Sequence, residues 1–414
     1  MKILFLHQNF PGQFKHLAPA LAAQGHRVAA LTSRVDKAQK WNSVQIVPYA
    51  FAEPGDQRHH PWLTNLNGAV HRGAAVYKAA DALAQKGYAP DVIVAHSGWG
   101  EALFLQEVWP KARLGVFSEF HYQASGADIG FDPEFALQGA FGEGARMRMR
   151  NLSMRLQLES ADMALCPTEW QASTHPAELR RKITVVHDGI DTDHVCPDPA
   201  ARVTLDGVTL SRADEVITFV NRNLEPYRGF HIFMRGLGDL LRRRPNARVI
   251  VVGGDGVSYG TAPRDGGTWK ERMITEVRGA IPDADWARVH FVGKLPYGDF
   301  LALLRVSTVH VYLTYPFVLS WSLMEAMACQ AAIVASATQP VQEVISDGET
   351  GLLFDFFDAT AMVDQVERLC RDPALRARLG QAARARVIAR YDLRTICLPR
   401  QFQWVADLAR AGAG

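Results

Sequence analysis

Residues 312–355 read YLTYPFVLSWSLMEAMACQAAIVASATQPVQEVISDGETGLLFD. The β-branched and aromatic run at 309–314 predicts a strand, which Tyr315-Pro316 ends because a residue before proline is pushed out of the α region. From 320 to 329 the apolar Trp321, Met324, Met327 and Ala328 recur at the spacing of a helix pressed on a sheet, with Ser320 or Ser322 as its cap. A second strand at 332–335 follows, and the turn at 346–351 precedes Leu352-Leu353-Phe354. Strand, helix and strand in this order form the unit of a parallel sheet. The first N–H groups of such a helix point into the crevice at the carboxyl end of the preceding strand, where α/β folds hold phosphorylated ligands. Val318, Leu319 and Ser320 can offer backbone amides there, and Glu325 faces the same crevice about a turn and a half later.

Working outward, 414 residues are too many for one ordinary core and suit about two α/β domains. A composition 48% hydrophobic and 21% charged is that of a globular protein, and a net charge of +2 carries no footprint for nucleic acid. The N-terminal apolar run stops at His7, and no run approaches the roughly eighteen apolar residues of a membrane span, so a cytoplasmic location is expected. Five widely spaced cysteines without a C-x-x-C pair predict reduced, buried thiols.

In the first half, strands are expected at 2–6, 26–31, 44–48, 91–95, 114–118, 163–166 and 183–186, with helices that include 67–85 and 101–109. Gly12, at the head of the first helix, lets backbone approach a ligand, and Gln13 stands beside it. His121 follows a strand's carboxyl end, where an imidazole can donate to a hydroxyl. Residues 124–144 show no period and read as a long loop for an acceptor. In 145–160, Met147, Asn151, Met154 and Leu158 share a line among arginines. That pattern is either a basic surface for weak peripheral membrane contact or a core-packed helix, and the strand that follows at once favours packing. Asp191-x-Asp193 and Asp283-x-Asp285 superficially match metal-binding pairs, but no metal is assigned.

In the second half, Asp206-Gly207 centres a hairpin over 203–210, and a strand at 216–221 runs into a loop bracketed by Arg222 and Arg228. A strand at 248–252 ends in Gly253-Gly254-Asp255-Gly256, which fails G-x-G-x-x-G because Tyr259 takes the last glycine's place. Another strand at 289–292 leads to Lys294 and Leu295, and helices at 376–389 and 394–410 close the chain.

Residues 312–355 resemble the nucleotide-sugar site of retaining glycosyltransferases of family four. Glu325-Ala326-Met327-Ala328-Cys329 matches the second half of their motif, while Phe317 stands in place of its first Glu and Gln330 in place of its Gly. Asn221-Arg222 and Arg228-Gly229 are similar to the family's Gly-Arg-x-x-x-x-Lys-Gly, and His7, Pro11, Gly12, Gly25 and His26 to its opening. The resemblance implies a GT-B fold: two facing Rossmann-like doubly wound domains with a cleft, over 1–196 and 197–390, with 391–414 a helix crossing back to the first. It implies a nucleoside diphosphate sugar as co-substrate and no cofactor or metal. Arg222 and Arg228 would stabilise the leaving diphosphate, and Glu325 would hold ribose. His121, Gly12, Gln13 and Gly254 would flank sugar and phosphate, with Lys294 and Leu295 at the base. Two rivals remain open: a nucleotide-sugar-binding partner without transfer, suggested by Phe317, and a GT-B epimerase.

Overall fold

The computed structural model describes the chain apart from residue 54 and residues 56–58, 136–141 and 412–414. The chain divides into two units, one of Met1–Ile129, Leu137–Gly189 and Leu393–Gly414, the other of Gly130–Ala136 and Ile190–Asp392.

The first unit is built on β1 (Lys2–Leu6), β2 (Arg27–Thr32), β3 (Gln39–Trp41), β4 (Val44–Pro48), β5 (Val92–His96), β6 (Arg113–Phe117), β7 (Met163–Cys166) and β8 (Ile183–Val185). They form one sheet in the order β3-β4-β2-β1-β5-β6-β7-β8, parallel except for β3 on β4. β1 and β5 are apolar at consecutive positions because both faces of the sheet are covered. On one face Leu4, Leu6 and Ile93 pack with Val76 and Ala80 of the helix Thr64–Gln85 and with Met154 and Leu158 of the helix Glu143–Ser160. On the other, Ile3, Phe5 and Val94 meet Leu17 and Leu21 of the helix Leu17–Ala23, and Trp404 and Leu408 of the helix Leu398–Arg410. Gly115 in β6 makes room for that last helix, since a Cβ there would lie 2.4 Å from the Trp404 ring.

The second unit opens with the hairpin β9 (Arg202–Leu205) and β10 (Val208–Ser211), whose turn holds Asp206 at φ 48° and Gly207 at φ 77°. Its sheet comprises β11 (Val216–Asn223), β12 (Arg248–Gly254), β13 (Val289–Phe291), β14 (Val309–Tyr312), β15 (Ala332–Ser336) and β16 (Leu352–Phe354). The order is β13-β12-β11-β14-β15-β16, parallel throughout. The helix Trp321–Ala328 buries Leu323, Met324, Ala326 and Met327 against Tyr312, Ile333 and Ala335.

Several sequence expectations shift. The helix expected over 101–109 is confined to Leu105–Val108. Gly100 stands in the left-handed region at φ 88°, and the Glu101 carboxylate is drawn inside, accepting from the Tyr49 hydroxyl at 2.5 Å and Gln8 N–H at 3.1 Å. Burial pushes that carboxyl up to about 7. The expected domain boundary at 196 falls instead after Gly189, because Ile190 N–H donates to Tyr391 O and the Arg305 guanidinium to Cys196 O. Part of the 124–144 loop lies outside the described residues, and Gly130–Ala136 belongs to the second unit. In the helix Glu143–Ser160 the expected apolar line is buried, and Arg150 lies 3.5 Å over the Tyr122 ring rather than in solvent. No described helix is long and apolar enough to cross a membrane.

Candidate functional site

In the second unit the strand order reverses between β11 and β14, and open parallel sheets hold ligands outside the carboxyl ends of strands at such a reversal. The turn Pro226–Arg228 follows β11, and Thr314 to Ser320 follow β14. Arg228 is 5% exposed. Its Nη1 donates to Thr314 Oγ1 at 2.7 Å and Val318 O at 2.9 Å, and its guanidinium lies 5.0 Å from the Tyr259 ring. Among the described residues no carboxylate lies within ion-pair distance of it. The nearby Glu225 is engaged elsewhere, accepting from the backbone N–H groups of Ser258, Tyr259 and Gly260 at 3.0–3.4 Å. The guanidinium therefore arrives oriented by neutral oxygens, with its charge uncompensated by an ion pair.

Arg222 occupies a different environment. β11 runs on to Asn223, so Arg222 stands within the strand, exposed and without an ion pair to the described residues. The expectation that both arginines bracket one loop is corrected on this point, because β11 extends to Asn223, which pairs with Gly254 after an irregularity in register beyond Val220. Arg222 lines a cavity of about 390 Å³ with Asn221, Val252, Lys294, Leu295 and Phe300. Three expected site residues, Arg222, Lys294 and Leu295, thus meet in one cavity. Gly254 closes β12 beside them, and a Cβ there would lie 2.6 Å from Lys294 Cε.

After β14, Val318, Leu319 and Ser320 are half-buried, and Ser320 caps the helix Trp321–Ala328 by accepting from Ser322 N–H at 3.3 Å. Ser320 N–H itself donates to the Tyr312 hydroxyl at 3.0 Å. Glu325 is 6% exposed and accepts from the Tyr297 hydroxyl at 2.7 Å. Phe317 is buried against Tyr227 and Tyr259, at ring separations of 5.1 and 5.0 Å, so an aromatic wall stands where the motif has an acid. Gln330 adopts φ 62°, the left-handed conformation that explains why a glycine is usual at that motif position.

Sequence reading missed Tyr297, Tyr259 and Glu225. Their partners lie about thirty residues away in the chain and carry no local period. It placed Asp132 in the loop at 124–144 without singling that residue out. Asp132 accepts from the Tyr315 hydroxyl at 2.7 Å and lies 2.9 Å from His231 Nε2, while Glu134 pairs with Arg235. Asp132, Glu134 and His231 bring metal-ligating atoms within 4.8 Å of one another. Arg235 donates to both Glu134 oxygens at 2.6 and 2.7 Å, so a cation already serves that carboxylate.

In the first unit, Gly12 at φ 46° lies against the His7 ring, which a Cβ would meet at 2.3 Å. Gln13 bonds both His7 and Glu119. His121 lines a separate cavity of about 450 Å³ with Arg148, Asn151, Arg155 and His175, and neither Gly12 nor Gln13 borders it. Burial lowers the His121 imidazole to about 4, so it is neutral near pH 7.

Residues 24–195 match the family described as Glycosyl transferase family 4 group, and residues 205–386 match Glycosyl transferases group 1. Curated relatives from Mycobacterium tuberculosis and Mycobacterium bovis named D-inositol 3-phosphate glycosyltransferase are 30% identical over 254 residues, 59% of this chain and 49% of theirs. The chain thus spans about half the length of the curated relatives it matches. Sucrose-phosphate synthase from Thermosynechococcus elongatus superposes with a TM-score of 0.71 at 20% identity, covering 99% of each chain. Anabaena HepE in complex with UDP-glucose gives 0.67 at 17% identity, over 98% of this chain and 100% of that one. With both halves matched in order, this chain belongs to the glycosyl transferases group 1 family and has the GT-B fold of two parallel-sheet α/β domains.

Proposed function

We propose that the protein transfers a sugar from a nucleoside diphosphate sugar to an acceptor hydroxyl, with retention of anomeric configuration and without a metal ion. The observation that carries this reading is Arg228, a buried guanidinium with no carboxylate in ion-pair distance among the described residues, at the point where the second sheet reverses its strand order. Cleaving a sugar–phosphate bond builds negative charge on the departing diphosphate, and a fixed donor in a water-poor site stabilises that charge best. Arg222 and Lys294 add positive charge at the adjoining cavity, where Leu295 faces the base. N–H groups near Ser320 meet phosphate or sugar oxygens, and Glu325 accepts from ribose hydroxyls. The departing diphosphate takes the acceptor proton on the face it leaves, so no side chain serves as a covalent nucleophile.

The HepE complex with UDP-glucose makes uridine diphosphate sugars the first donors to try. In the test, a panel of UDP-sugars is incubated with glycoside acceptors and the product is read by anomeric proton coupling, with and without EDTA. An α-linked product from an α-linked donor, formed equally with EDTA, is expected; an inverted product, or loss of transfer with EDTA, overturns the corresponding part. The buried Phe317 favours one alternative, a nucleotide-sugar binder without transfer, since no acid stands there to hold the sugar. Saturable UDP-sugar binding with no product across the panel supports that alternative.

A further inference from the structure

Two buried carboxylates of the second unit, Glu225 and Asp132, stand one layer behind Arg228 without forming an ion pair with it. Glu225 is 0% exposed, and both its oxygens serve the loop after β12. Oε1 accepts from Ser258 N–H at 3.1 Å and Tyr259 N–H at 3.3 Å, and Oε2 accepts from Gly260 N–H at 3.0 Å. Three successive N–H groups converging on one carboxylate make an anion nest whose occupant is the protein's own side chain. Burial raises the Glu225 carboxyl, and these N–H bonds oppose the rise. The loop held in this way delivers the Tyr259 ring, 5.0 Å from the Arg228 guanidinium and 5.0 Å from the Phe317 ring.

Asp132, 4% exposed, does the same for a second tyrosine. Its Oδ2 accepts from the Tyr315 hydroxyl at 2.7 Å and lies 2.9 Å from His231 Nε2, while Oδ1 accepts from Glu134 N–H at 3.0 Å. Tyr315 N–H donates to Tyr227 O at 3.0 Å, and the two rings are 4.9 Å apart. Thr314 precedes Tyr315, Arg228 follows Tyr227, and these two residues share the 2.7 Å hydrogen bond from the guanidinium. Tyr315 is thus tied to both stretches of chain that fix Arg228. A carboxylate in contact with the guanidinium would cancel the charge that a diphosphate needs. One held a layer back orders the neutral groups around that charge and leaves it available. A cation oriented before its ligand arrives also gives up less freedom on binding.

We propose that Glu225 and Asp132 are positioning residues of the donor site, Glu225 acting through Tyr259 and Asp132 through Tyr315 to hold the Arg228 guanidinium in its binding orientation. This rests on the reading that Arg228 meets the donor diphosphate.

The test measures uridine diphosphate affinity of the full chain by calorimetric and NMR titration, with each substitution made in the natural protein and again in Arg228→Ala. Glu225→Gln sets an amide N–H against the N–H groups of Ser258, Tyr259 and Gly260, and Tyr315→Phe removes the hydroxyl that Asp132 holds. In the natural protein each should raise the dissociation constant by about fivefold to thirtyfold. In Arg228→Ala each should change it by less than about twofold, because nothing remains to be positioned. A merely structural role would weaken binding alike in both backgrounds. That result overturns the proposal, as does unchanged affinity in folded variants of the natural protein. Should Glu225→Gln fail to fold, Tyr259→Ala takes its place, since truncating that half-buried ring leaves the carboxylate with its backbone donors, and the same dependence on Arg228 is required. If Arg228→Ala by itself leaves affinity unchanged, the donor reading falls and the positioning role with it. If Arg228→Ala weakens binding but the paired substitutions are additive, the positioning role alone falls.

Discussion

Arg228 and Gln330 show how single residues in one motif region carry different burdens. Arg228→Ala removes a guanidinium held by Thr314 and Val318 at the strand reversal. Calorimetric titration should show UDP-sugar affinity falling by roughly tenfold to a hundredfold, as expected for loss of a charge-assisted hydrogen bond. Unchanged affinity would remove Arg228 from the site. Gln330 has no such role, yet it sits at φ 62°, where an L side chain is strained. Gln330→Gly relieves the strain and adds freedom to the unfolded chain, so the net gain in urea-unfolding stability should be modest, about 0.5–1 kcal/mol. A loss of stability would mean that the glutamine side chain holds something more valuable than the backbone strain it imposes.

At the scale of elements, the helix Leu398–Arg410 illustrates how the end of the chain is tied down. Trp404, Val405 and Leu408 complete one face of the first sheet, and the close approach depends on Gly115, over which Trp404 and Leu408 lie. Gly115→Ala places a methyl 2.4 Å from a rigid indole carbon. Overpacking of this kind costs about 1–3 kcal/mol, which a shift of the denaturation midpoint would reveal, with far-ultraviolet dichroism confirming that the fold persists. A neutral outcome would show that the terminal helix rides freely on the sheet. The segment Gly130–Ala136 teaches a related lesson: Asp132, bonded to Tyr315, steadies the start of the loop that carries Val318 and Ser320, although nothing periodic marks it in the chain.

Across the whole molecule, buried imidazoles set the response to acid. His7, His121, His175, His187 and His310 are all lowered by burial from 6.5 to about 4. A base whose folded value lies below its unfolded one contributes stability that is full above pH 6.5 and is lost as pH falls toward 4, because the unfolded chain takes up protons the folded chain refuses. Glu101, raised to about 7, and Glu225, also raised by burial, act oppositely, their cost growing as pH rises, but the lowered imidazoles outnumber them. Melting temperature should therefore fall steeply between pH 6.5 and 4. His310 is buried and hydrogen-bonded through Nδ1 to Thr218, so His310→Asn should shrink that loss by roughly 2–3 kcal/mol. A pH profile identical to that of the natural protein would show that this ring does not titrate with folding.

What the chain determined alone was its alternation of buried strands and amphipathic helices, and with it the class of fold. Runs such as ILFL in β1 and VIVA in β5 declare a two-sided parallel sheet, and Trp321, Met324 and Met327 declare a helix, because period and apolarity are properties of near neighbours. The match of Glu325-Ala326-Met327-Ala328-Cys329 was legible for the same reason. Tertiary structure alone decided which arginine is buried and which exposed, that Tyr297 holds Glu325, and that Glu225 gathers three backbone N–H groups. A polar side chain's partner depends on which strands end side by side. That follows from the reversal of strand order, a long-range packing outcome written in no stretch of a few residues.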